Sequence, residues 1–189
     1  VDYLANKLSL EPVNLPALNV TKVGSPEKCA KQLRKIWNIE EGVINDLTKI
    51  IESNGIIVYS FNFGTERVDS RSIITKTGQP IIYTNSTLLG DRLRFTLAFE
   101  LGHLVMHLDA LPDLDRDVNH EANLFASELL MPAKEIKPDF ADGVTLGLLG
   151  ELKRKWKVSM QTLLFRSEDL GVITPNQKRY LVGQFNKLR

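Results

Sequence analysis

Three histidines, His103, His107 and His120, fall within 18 consecutive residues, and they are the only ones in a chain of 189. Two of them belong to the segment Phe99-Glu100-Leu101-Gly102-His103-Leu104-Val105-Met106-His107. In an H-E-x-x-H helix the histidines at i and i+4 share a face and reach one zinc ion. The glutamate between them is the general base for the metal-bound water. Glu100 and His103 keep the second half of that pattern, while Phe99 stands where the first histidine would be. A phenyl ring has no lone pair to offer a metal. Even losses outside the ligand set typically lower metal affinity about 10- to 100-fold, so the expectation is a zinc site that is weak or absent.

The same residues allow other readings. A site shifted by one turn would use His103 and His107, completed by His120 or Glu121, but it would lack the base because Leu104 follows His103. His107 also reads as a group favoured by the dipole at a helix C-terminus, and His120 as a solvated side chain. Glu100 has a purely structural alternative, a carboxylate held by neighbouring backbone or by Arg92 or Arg94. Glu128, seven residues beyond Glu121, returns to nearly the same helix face and is a candidate for metal or for a salt bridge. Phe95, Thr96 and Phe125 are expected to fill the space between the helices.

The elements that must position these groups are legible from pattern. Ser25-Pro26-Glu27 supplies a cap, a first-turn proline and early acid, opening a helix to about Asn38. A second helix is expected from about Val43 to Ser53, stopped by Asn54-Gly55. Ile56 to Phe61 is β-branched and aromatic, and Arg71–Lys76 with Gln79–Thr84 flank a Thr77-Gly78 turn, predicting an antiparallel hairpin. Helical periodicity returns from about Asp91 to Leu108 and from Val118 to Leu130, separated by an acidic loop from Asp109 to Asp117. Three more helices are expected near Thr145–Trp156, Ser159–Leu170 and Pro175–Leu188. The fold class is α+β, mainly helical, with a small antiparallel sheet packed against the long motif helix. The division expected is 1–24 as a linker or arm, 25–140 as the main domain and 141–189 as a helical subdomain.

Composition narrows the function classes. Lys and Arg total 24 against 23 Asp and Glu, a net charge of +1, so no global field points to nucleic acid. A single cysteine, Cys29, excludes a disulfide framework and fits a cytoplasmic location. No apolar run approaches the roughly 18 residues of a membrane span. Charge is nevertheless uneven: residues 100–142 hold ten acids and three bases, and residues 151–189 nine bases and three acids. Lys153, Arg154, Lys155 and Lys157 sit where two C-terminal helices superficially imitate a helix-turn-helix. Direct DNA contact is disfavoured there by Glu168, Asp169 and the apolar Leu163-Leu164-Phe165.

The blocks RLRFTLAFELGHLVMH, EANLFASELLMP and KRKWKVSMQTLLFRSEDLGVI together resemble the ImmA/IrrE-type metallopeptidases, through which bacteria and mobile elements cleave helix-turn-helix repressors. The resemblance implies a zincin-like fold, His103 and Glu121 as metal ligands and Glu100 as catalytic base, with His107 an alternative ligand from its spacing. Phe99 then falls in the substrate or ligand cleft. The implied partner is a helix-turn-helix repressor or regulator. The chain begins at Val1, and the expectation is an omitted N-terminal helix-turn-helix domain, through which alone DNA would be bound. Two functions stay open: a metallopeptidase-type domain in transcription regulation with an impaired zinc site, and a pseudo-peptidase sensor module that binds a protein, peptide or small ligand.

Overall fold

The computed structural model describes residues 11–88, 90–108 and 116–187. Much of the acidic loop, the start of the N-terminal arm and the last two residues lie outside them. A short helix α1 (Val20–Val23) precedes α2 (Pro26–Ile36), where Ser25 Oγ accepts from the Lys28 N–H at 3.2 Å. Helix α3 (Leu47–Ser53) begins a turn later than Val43. The Asp46 side chain accepts from Lys49 N–H at 3.0 Å and fixes the start there, leaving Val43 and Ile44 in the preceding loop. The arm packs inward, with Leu18 N–H bonded to Val105 O at 2.8 Å and Trp37 Nε1 to Asn14 O at 2.8 Å. Gly55 permits this approach. Its φ is +77°, and a Cβ there would sit 2.6 Å from Pro12 O.

Strands β1 (Ile57–Phe61), β2 (Ser70–Ile74) and β3 (Pro80–Asn85) form one sheet in the order β1-β3-β2. The hairpin is antiparallel, with Ile74 opposite Pro80. The sheet as a whole is not antiparallel, because β1 runs parallel to β3, Ile57 facing Ile81. The reason is connectivity. Residues 62–69 carry the chain past the middle position to the far edge, so the returning β3 enters the centre in the direction of β1. Its sequence is suited to that place, with Ile81 and Ile82 buried among neighbours on either side.

The long motif helix α4 (Gly90–Met106) packs against α5 (Val118–Leu130) and against the sheet. Asp117 caps α5 by accepting from His120 N–H at 2.9 Å. Gly102 brings α4 and α5 close: a Cβ there would lie 3.0 Å from the fully buried Phe125 ring and 3.4 Å from Ala122 Cα. A short helix α6 (Ala133–Ile136) and a 3-10 turn (Lys137–Phe140) follow, then α7 (Leu146–Trp156), α8 (Met160–Asp169) and α9 (Pro175–Lys187). The last three match the periodic segments of the sequence. Among the described residues no helix is long and apolar enough to cross a membrane.

Cys29 is fully buried on α2, and burial, with the nearby charges of Glu121 and Glu27, pushes its thiol from the ordinary 9.0 up to about 11. Thiolate is the reactive form, so two pH units leave about 100-fold less of it. Iodoacetamide labelling of the native chain at pH 8 is expected to be at least about 100-fold slower than labelling in urea. Equal rates would mean that α2 does not pack as described.

Candidate functional site

Helical geometry sets Phe99 and His103 along one face of α4, and His107, just past its end with its N–H on His103 O at 3.0 Å, continues that face. The Phe99 ring meets His103 edge-on, with centroids 4.7 Å apart at 81°. His103 and His107 then approach through their Nδ1 atoms at 3.0 Å. His107 uses its other nitrogen, Nε2, on Glu121 Oε2 at 2.9 Å. Glu121 is also clasped by Arg116, whose Nε donates to Oε1 at 2.9 Å and whose second guanidinium nitrogen donates to Oε2 at 2.5 Å. The result is a chain of contacts, His103 to His107 to Glu121 to Arg116. The two helices bring the expected residues together, with His107 standing between His103 and Glu121.

Electrostatics follow from this order. Burial, reinforced by the neighbouring His107, holds His103 below its ordinary 6.5, although Glu100 and a hydrogen bond with Asn119 pull the other way. At neutral pH His103 is therefore uncharged. Burial opposes ionisation of Glu121, but the hydrogen bonds and charges of Arg116 and His107 outweigh it and hold the carboxyl below the usual range.

Glu100 points elsewhere. It is 6% exposed and faces the edge strand β2, where Ser70 Oγ donates to Oε1 at 2.5 Å and Ser72 Oγ donates to Oε2. The pleat explains the pair, since residues two apart share a face of a strand. Neither arginine expected as a structural partner is used. Arg92 forms a two-pronged contact with Asp69, and Arg94 donates to Ile44 O. The alternation Ser70-Arg71-Ser72 in an otherwise β-branched strand is the one signal in the sequence that pointed to this arrangement. Glu128 also resolves as a structural acid, paired with Arg166.

Would this donor set hold zinc? A catalytic centre needs three protein donors at about 2.0–2.2 Å from one ion, with a fourth position open for water. Here His107 commits both ring nitrogens to neighbours, Glu121 commits both oxygens to Arg116, and Phe99 offers no donor. Among the described residues no group of three or more His, Cys, Asp or Glu is placed to hold a metal ion. In this arrangement the donor atoms of His107 and Glu121 are taken up by one another, by His103 and by Arg116.

One turn before Phe99 a cleft of about 1310 Å³ opens between α4, α5, α8 and α9. Phe95, Leu124, Met160, Phe165 and Phe185 make apolar ground in it, and the exposed His120 lies at its rim. Phe95 and Thr96, expected as filler between helices, line this cleft, whereas Phe125 is fully buried. Lys178 lies 4.4 Å over the Phe165 ring and pairs with Glu168, ordering the side of α9 that closes the cleft.

The family model described as IrrE N-terminal-like domain, of the M78 peptidases, matches residues 51–168, from the end of α3 to α8. A solved structure described as a Mycobacterium tuberculosis transcriptional regulator superimposes with a TM-score of 0.54 at 17% identity, over 77% of this chain and 48% of that one. At that identity the likeness is one of fold, and the chain spans about half the length of that protein. No curated protein matches the sequence.

Proposed function

Because the chain belongs to the IrrE N-terminal-like family, we propose that it is a metallopeptidase-type domain of a transcription regulatory system in which the old catalytic face has become a binding and sensing surface. The observation that carries this reading is the state of Glu121. The acid that the family resemblance makes a metal ligand is neutralised by a two-pronged Arg116 contact, and a cation entering the site would have to displace a guanidinium already at hydrogen-bond distance.

Glu100 acts in the same direction. Both its oxygens accept hydroxyl protons from β2, so its carboxylate serves to hold the motif helix to the edge strand rather than to orient water. The cleft beside Phe95 then supplies the recognition surface, with apolar ground for side chains and a polar rim for specificity. A helix-turn-helix repressor or regulator is the partner class favoured by the family, and a transcriptional regulator of similar fold supports the same setting.

The test is zinc content after equilibration with the metal and desalting. The wild-type chain is expected to retain substoichiometric zinc, and His103→Ala and Glu121→Ala to leave that content unchanged. Stoichiometric zinc lost in both variants would replace this reading with that of a working metallopeptidase.

A further inference from the structure

A second cavity, of about 610 Å³, lies away from the His-Glu face, between the start of α3, the start of α4 and the end of α7. Four cations line it, Arg94, Lys153, Arg154 and Lys157, against two acids, Asp46 and Asp91. The acids are already engaged. Asp46 caps α3, and Asp91 holds Lys153 at 2.9 Å.

Arg94 is the informative member. It is 9% exposed, it donates to Ile44 O, and its Nε–H is buried without an acceptor among the described residues. A buried donor left unmade is costly, and charged ones more so. Burial also disfavours the guanidinium charge, with only the field of Asp46 to offset it. Lys157 adds an independent sign. It ends α7 with φ of +55°, a left-handed conformation that Asn38 alone shares among the described non-glycine residues. Glycine would take that position without strain, yet a lysine stands there and reaches across to Asn45 Oδ1 at 2.8 Å. Leu47, Leu93 and Leu97 give the cavity an apolar wall.

From the excess of cations and the apolar wall, we infer that this cavity binds a small organic phosphate, its anionic group between Arg154 and Lys157 above the buried charge of Arg94 and its carbon skeleton on the leucines. Arg94 supplies a fixed positive charge beneath the base, and the exposed Arg154 and Lys157 close on the anion from the rim. This explains the basic cluster of α7 without a DNA-reading helix, because Leu163 and Leu164 of α8 are buried in the core.

Calorimetric titration of the whole chain at low salt, with AMP, inorganic pyrophosphate and a short DNA duplex as separate probes, tests the site. AMP is expected to bind saturably, more tightly than pyrophosphate, and to weaken as salt is raised. Arg94→Gln removes the partner of Ile44 O and endangers the fold, so the deciding variants are Arg154→Gln and Lys157→Asn, the asparagine tolerating the left-handed backbone. Each should weaken AMP about tenfold, whereas Arg71→Gln on β2 should change nothing. Absence of saturable AMP binding, binding unaffected by Arg154→Gln, or binding of the duplex alone would each overturn the assignment.

Discussion

Replacing Arg166 with alanine is expected to lower the folding free energy by about 3–5 kcal/mol and the melting temperature by roughly 10 °C, measured by urea and thermal unfolding. Arg166 and Glu128 are each 2% exposed. The guanidinium pairs with Glu128 and also donates to Met131 O from Nε at 3.2 Å and from its terminal nitrogen at 2.9 Å. Glu128 in turn accepts from Ala133 N–H at 3.2 Å, at the opening of α6. One side chain from α8 therefore satisfies both an acid of α5 and the carbonyl that ends that helix. Removing it leaves Glu128 with Lys31, 3.5 Å away on a side chain that is 56% exposed, a weaker partner because water competes for it. The double substitution Arg166→Met with Glu128→Leu should recover much of the loss, since an apolar pair carries no desolvation cost. A loss below about 1 kcal/mol from Arg166→Ala would mean that the pair is open to solvent and that α8 does not seal this side of the core.

The second large effect is on metal binding. Phe99→His places an imidazole four residues before His103, on the same helix face, and is expected to raise zinc affinity more than about 100-fold, beyond the usual effect of changes outside the ligand set. Competition with a chromophoric chelator reads it. Phe99 is half buried, so the smaller ring fits without a clash. The obstacle that remains is Arg116, and adding Arg116→Ala frees the Glu121 carboxylate for a cation. A gain only in the double variant would locate the block at the Arg116 contact. No gain in either would show that His103 and Glu121 do not occupy ligand positions, which would remove the ancestral zinc site from the proposed function.

The legible and illegible parts of this molecule divide along sequence separation. Val118–Leu130, Ser25 with Pro26–Ile36 and the three C-terminal helices were readable because caps and 3.6-residue periodicity are written within a few residues of the element they form, whereas the cap supplied by Asp117 was read as part of the acidic loop. Where reading slipped, as at the start of α3, a cap one turn further on outweighed an apolar periodicity. Directions within the sheet were not readable. A run of β-branched residues fixes that a strand forms, whereas the side from which it is joined depends on where the connecting loop crosses.

The site shows the same division more sharply. Spacing alone places Phe99, Glu100, His103 and His107 on neighbouring sides of one helical stretch and shows that the first ligand of an H-E-x-x-H centre is missing. What those side chains touch depends on how the elements pack. Glu100 finds Ser70 and Ser72, 30 and 28 residues away in the chain, because β2 is the edge strand that packs beside α4. Glu121 meets His107 because α5 docks on α4 through Gly102, whereas Arg116 is its neighbour five residues back in the chain. Spacing along a helix fixes which groups share a face, but the partner of a buried charge is chosen by packing between elements.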